Sequence, residues 1–163
     1  MGCAAAGAPA VSALVLHAPC EGRCVPVSEV PDPVFAEGTL GPGFAVVPTN
    51  GCVVAPMDGT ITHIMPSRHG LILSGRDGVG VLIHCGIDTV QLDGRHLEAF
   101  VEAGQQVDVG TPLVLMDLDA IAAEGYRTDV IVVVSEMGEM GGLELLETGD
   151  VEAGEVVARL RRP

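Results

Sequence analysis

What most constrains this chain is how soon each of its apolar runs is cut off. Leu14–His17, Phe44–Val47, Cys52–Ala55, Thr60–Met65, Leu71–Ser74, Val79–Cys85, Leu113–Met116, Val130–Val134 and Val156–Leu160 are short, β-branched or aliphatic, and stopped by Gly, Pro or Asp-Gly. Breakers spaced roughly 8–12 residues apart leave room for strands and turns but not for long amphipathic helices. The expected fold is therefore all-β, an antiparallel sandwich or barrel-sandwich. The 22 glycines fit its many tight turns. Helix is expected over Asp119–Glu124, with Asp119 as N-cap and Gly125 as the stop. Short helical turns are expected near Leu97–Glu102 and Gly142–Glu147. With 163 residues the chain suits one buried domain. Residues 1–13 read as a flexible leader and 14–163 as a single domain.

Two echoes point to duplicated strand motifs. Ala18-Pro19-Cys20-Glu21-Gly22 recurs as Ala55-Pro56-Met57-Asp58-Gly59, each leading into an apolar run. Val101-Glu102-Ala103-Gly104 recurs as Val151-Glu152-Ala153-Gly154. Two similar strand–turn units packed against each other would explain both.

Charge and composition remove whole classes of function. The net charge of −14 lacks the basic footprint that nucleic acids or anionic membranes require. All basic residues are Arg, so no lysine is present for a P-loop, a Schiff base, or a biotin or lipoyl attachment. Aromatics are only 2%, too few for a stacking platform. Five cysteines without a Cys-x-x-Cys pair read as reduced thiols. The uncharged leader lacks the basic start of a signal peptide. A cytoplasmic protein is expected.

Candidate chemistry concentrates in the segment from His69 to His84, where two β runs flank Ser74–Gly80 and Asp77-Gly78 signals a hairpin. A turn centred between Arg76 and Asp77 sets the two histidines opposite each other. One centred between Asp77 and Gly78 sets Leu71 opposite His84, with His69 on the diagonal. Either register brings both imidazoles to one face. Two close imidazoles in an apolar surround can hold a phosphoryl group, one attacking phosphorus and the other bonding its oxygens. They can also bind a metal, zinc being the candidate. His17 and His63 lie in β runs and read as structural or exposed; His96 reads as solvent-facing.

The residues around this hairpin carry a family resemblance. Val81-Leu82-Ile83-His84-Cys85-Gly86-Ile87-Asp88-Thr89-Val90-Gln91-Leu92-Asp93-Gly94 closely resembles the phosphorylation signature of the glucose-family enzyme IIA components. These belong to the bacterial phosphoenolpyruvate-dependent sugar phosphotransferase system. The likeness continues in order through Val30–Gly38, Gly41–Pro48, Val54–Ile61, Gly104–Asp117 and Thr128–Val134. It implies a histidine phosphocarrier in which His84 accepts phosphate, His69 stabilises the phosphoryl group and Ser67 supports it. It implies phospho-HPr as donor and a cysteine of a IIB domain as acceptor, with sugar entering through a IIC channel. An apolar docking rim would include Phe35, Leu40, Met65 and Leu82, with Asp88 beside the site. No cofactor is required. Against the family pattern, Gly70 stands for Ala, Met65 for an aromatic, Gly94-Arg95-His96-Leu97 for Gly-x-Gly-Phe, and Asp129 for Pro.

Three other readings share parts of the pattern. Biotinyl and lipoyl carriers are removed by the missing lysine. A lysostaphin-type zinc peptidase is matched by His84-x-x-x-Asp88 but needs a His-x-His that is absent. A regulatory binding protein using the His69/His84 face is compatible with phosphocarrier chemistry.

Overall fold

A computed structural model describes residues 14–163; the expected leader, residues 1–13, and Cys3 lie outside the described residues. The chain runs through β1 (Leu14–His17), β2 (Gly22–Pro26), helix α1 (Pro33–Ala36), β3 (Gly43–Pro48), β4 (Cys52–Val54), β5 (Gly59–Ile64), β6 (Gly70–Ser74) and β7 (Gly80–Cys85). It continues through β8 (Leu97–Ala99), β9 (Gln106–Val107), β10 (Pro112–Met116), helix α2 (Leu118–Ala123), β11 (Val130–Glu136), β12 (Gly142–Leu145), β13 (Gly149–Val151) and β14 (Val156–Arg161). All pairings are antiparallel. The large sheet has the order β13-β2-β3-β11-β7-β6-β5-β9, and two three-stranded sheets, β1-β14-β12 and β4-β10-β8, complete the sandwich. No helix among the described residues is long and apolar enough to cross a membrane.

The duplication is visible in reciprocal hydrogen bonds. The His17 N–H donates to the Pro56 carbonyl at 2.8 Å, and the Val54 N–H donates to the Pro19 carbonyl at 2.7 Å. Gly154 N–H to Ala18 O (2.9 Å) is matched by Gly110 N–H to Ala55 O (3.0 Å). Each Ala-Pro turn thus secures the other unit. The second echo is corrected: the partner of Val151–Gly154 is Val107–Gly110, not Val101–Gly104. Val151 pairs with Gly22 just as Val107 pairs with Gly59. The wrong match arose because both Val-x-x-Gly turns precede apolar runs.

Four local expectations also change. Helix α2 is capped by Asp117, whose Oδ1 accepts the Ala120 N–H at 3.1 Å, while Asp119 falls inside the first turn. Leu97–Ala99 and Gly142–Leu145 are edge strands on β10 and β14, not helical turns. Their short apolar stretches satisfy their backbones by pairing across the sheet, which no local pattern announces. Cys20, Cys24 and Cys85 are buried free thiols as expected, whereas Cys52, half-exposed at the start of β4, is not a free thiol.

Strand alternation divides the large sheet into two faces. Val81, Ile83 and Cys85 of β7 point into the main core with Phe44, Val46, Val130 and Val132. Leu82, Ala45, Ile131 and Val133 form a second, smaller cluster on the other face, covered by Val25, Val30, Phe35 and Ile87. That second cluster is where His84 emerges.

Candidate functional site

His84 faces Gly70 across β6 and Ile131 across β11. The hairpin therefore takes neither of the two registers open to sequence reading. Ser74 pairs with Gly80, so Asp77 sits at the centre of an odd loop in which Asp77 (φ 58°) and Gly78 (φ 75°) are both left-handed. In this register strand alternation alone would send His69 to the opposite face from His84. The strand, however, begins only at Gly70. Arg68 adopts φ 60° and turns the chain, while the Cys85 N–H donates to the His69 carbonyl at 2.7 Å. The imidazoles consequently meet, ring centroids 5.2 Å apart and planes at 74°. Their expected juxtaposition holds, and a turn rather than cross-strand pairing produces it.

The proton on His84 is assigned by its partner. Nδ1 lies 2.7 Å from the Gly86 carbonyl oxygen, which can only accept, so Nδ1 carries hydrogen and Nε2 keeps the lone pair. The Gly86 carbonyl is held in turn because its own N–H donates to Asp129 O at 2.8 Å. Ile87 N–H bonds Arg127 O at 3.2 Å, and the Arg127 guanidinium bonds the buried Asp129 carboxylate at 3.0 and 3.3 Å. Asp129 thus belongs to a buttress behind the His84 loop. Its charge is paired, which makes burial tolerable.

Burial lowers the pKa of His84 below the ordinary 6.5, opposed by the Gly86 bond and the carboxylates of Asp32 and Asp88. His69 is lowered too, first by burial and then by His84. Both effects favour neutral imidazoles, the form with a free lone pair. His69 Nδ1 is buried with no hydrogen-bond partner, so the Ser67 hydroxyl does not bond it in this conformation. Ser67 lies in the turn that Met65 N–H to Gly70 O (2.9 Å) and Arg68 N–H to Met65 O (2.7 Å) close.

The expected rim divides. Leu40 is 37% exposed, but Phe35 (5%) and Leu82 (9%) are buried. Phe35 packs edge-on against His84 at 5.1 Å between centroids and forms a wall of the site. Met65 is half-buried over Gly70; a methyl at Gly70 would stand only 2.6 Å from its Sδ. The Met65 thioether thus fills the space that a methyl at Gly70 would take. Asp88 is exposed at φ 61° on the turn after His84.

Sequence reading missed Asp32, which caps α1 by accepting the Val34 N–H at 3.0 Å and places its charge near His84. The signal was there: Asp32-Pro33 is an N-cap followed by proline at the first helical position. It also missed the exposed Val34 and Val90, which flank the site on α1 and on the 3-10 turn Thr89–Leu92. Among the other histidines, His17 is buried with Nδ1 bonded to Gly154 O, and His63 is exposed. His96 is not merely solvent-facing, since its Nε2 pairs with Glu124 at 2.5 Å. No group of three or more His, Cys, Asp or Glu able to hold a metal occurs among the described residues. A zinc at His69 and His84 would have two protein ligands, fewer than the three typical of a catalytic zinc site.

Comparison with known proteins agrees with this geometry. Residues 14–140 match the family model for the phosphoenolpyruvate-dependent sugar phosphotransferase system, EIIA 1. The glucose-specific EIIBCA component of Corynebacterium glutamicum is 41% identical over 145 residues, covering 89% of this chain and 22% of the relative. The chain thus spans about a fifth of that longer protein. The glucose-specific EIIA component of Staphylococcus epidermidis is 38% identical over 126 residues, 76% of each chain. The solved glucose permease IIA from Mycoplasma capricolum superposes with a TM-score of 0.86 at 36% identity, covering 91% of this chain and 96% of that one. A barrel-sandwich with two facing histidines on one apolar face, matched over most of its length, belongs to the glucose-family enzyme IIA components of the sugar phosphotransferase system.

Proposed function

We propose that this chain is a phosphocarrier in which His84 Nε2 accepts a phosphoryl group from the phosphohistidine of HPr. The P–N bond on the donor breaks as a P–N bond to Nε2 forms, and His84 Nδ1 keeps its proton on the Gly86 carbonyl. In the second step a cysteine thiolate of a IIB domain takes the phosphoryl group and returns the lone pair to Nε2. His69 orients the phosphoryl oxygens by hydrogen bonding, with Ser67 in the turn that carries it, and no metal or other cofactor enters either step. Partner contact falls on Leu40, Met65, Val34 and Val90 around the histidines, with Asp32 and Asp88 offering negative charge to basic side chains. A IIB domain is a reasonable acceptor because the C. glutamicum relative carries B, C and A parts under one name.

The observation that carries this reading is the 2.7 Å contact of His84 Nδ1 with the Gly86 carbonyl, which assigns the lone pair to Nε2, beside a second imidazole 5.2 Å away. Incubation with phosphoenolpyruvate, enzyme I and HPr should place acid-labile phosphate on the wild type and none on His84→Ala. Absence of label on the wild type, or undiminished label on His84→Ala, sinks the assignment. His69→Gln should still accept phosphate and pass it on poorly.

A further inference from the structure

The turn that delivers His69 is held by its neighbour. Arg68 Nε donates to the Leu97 carbonyl at 2.9 Å and its NH2 group to the Gly94 carbonyl at 2.8 Å. A planar guanidinium with two donors in fixed geometry can bridge two carbonyls in a way a single ammonium cannot. These bonds tie the 65–70 turn, just before β6, to the loop that follows the signature. The landing site is shaped for it: a methyl on Gly94 would stand 2.6 Å from the Arg68 guanidinium nitrogen. Arg68 itself sits at φ 60°, a conformation that costs a non-glycine residue energy and persists where surroundings over-determine it. The His69 carbonyl accepts the Cys85 N–H, but its imidazole Nδ1 is buried without a partner.

We infer that Arg68 is a positioning residue that keeps the His69 imidazole in reach of His84, acting through its clamp on the Gly94 and Leu97 carbonyls. The inference rests on the phosphocarrier reading for its consequence, though not for its geometry. His84 is fixed separately, by β7 and the Gly86 carbonyl, so releasing Arg68 disturbs one imidazole and leaves the other in place. The loop at Gly94–Leu97 serves here as a pair of backbone acceptors for an arginine.

The test compares Arg68→Ala, Arg68→Lys and Arg68→Gly with the wild type, and adds Gly94→Ala, which crowds the guanidinium from outside. Two readouts are taken: the NMR titration of the His69 imidazole, and single-turnover transfer from phospho-His84 to the IIB domain of the C. glutamicum EIIBCA component. In Arg68→Ala and Gly94→Ala, His84 should still be labelled while onward transfer drops roughly tenfold to a hundredfold, the scale of a displaced reacting group. His69 should titrate closer to an ordinary histidine as it leaves the buried pair. Arg68→Lys should resemble Arg68→Ala, because one ammonium does not replace the fork. Arg68→Gly relieves the left-handed backbone without restoring the clamp and should also be impaired. Wild-type transfer and titration in Arg68→Gly would show that backbone conformation alone matters and would overturn the inference. So would an Arg68→Ala protein that loses thermal stability but keeps both readouts. If the wild type takes no phosphate, the phosphocarrier reading fails, while the His69 titrations still decide the clamp.

Discussion

Replacing Gly86 by alanine tests whether the loop behind His84 is held as tightly as its contacts indicate. Gly86 lies at φ 87°, where an L side chain costs about 1–2 kcal/mol. Its added methyl would stand 2.4 Å from Thr89 Cγ2 and 3.0 Å from the Arg127 carbonyl. Thr89 is fully buried and its hydroxyl donates to Cys85 O at 2.6 Å, so rotating it away breaks a buried hydrogen bond. Overpacking of this kind typically costs about 1–3 kcal/mol. The sum is about 2–5 kcal/mol, out of the roughly 5–15 kcal/mol that holds a domain together. Gly104 supplies the control: φ is 94° and nothing lies within 4 Å of its added methyl. Gly104→Ala should show the backbone cost alone. Urea unfolding of both variants isolates the packing contribution as their difference, expected at about 1–3 kcal/mol. The His84 Nδ1 proton resonance should move in Gly86→Ala and stay put in Gly104→Ala. Equal destabilisation of the two variants, with that resonance unchanged in both, would refute the account of the loop.

Acid should weaken the fold through the same imidazoles. Both are held below 6.5, so the unfolded chain binds protons that the folded chain refuses; their contribution is full above 6.5 and is lost as pH falls below it. Urea midpoints measured at pH 7.5 and 5.5 should differ less in His69→Gln/His84→Gln than in the wild type, and an equal difference would contradict the assignment. Gly70→Ala should cost less than about 1 kcal/mol, because the flexible Met65 thioether can yield. A double-mutant cycle with Met65→Ala should nevertheless reveal coupling of at least about 0.5 kcal/mol. At α2, Asp117→Ala should cost about 1 kcal/mol and Asp119→Ala less than about 0.5, which thermal unfolding can separate.

Much of this architecture could be read from short-range chemistry. Nine apolar runs bounded by Gly, Pro or Asp-Gly became nine strands with ends shifted by a residue or two, because breakers and β-branched residues act locally. The elements that escaped were those whose state is decided at a distance. Leu97–Ala99 and Gly142–Leu145 look like poor helices until β10 and β14 lie beside them. Helix α1, by contrast, carried its own start signal in Asp32-Pro33 and was simply unread. Exposure followed the same division: Phe35 looks like a rim residue in sequence and is a wall of the site only because α1 folds it over β7.

The hairpin shows why two imidazoles can meet although the register differs from both that the sequence left open. Parity rules assume that a strand continues to the residue of interest, and His69 lies one position before β6 begins. The odd loop at Asp77 moves Gly70 opposite His84, which would have separated the histidines had the strand extended further. It does not, because Arg68 takes a left-handed turn and reaches across to Gly94 and Leu97. The residue opposite His84 is then the one without a side chain, and the space over it is filled from Met65 rather than from the strand. Residues that look independent along the chain, Met65, Gly70 and Gly94, therefore answer to one geometric requirement: two imidazoles must share a face that strand alternation alone would deny them.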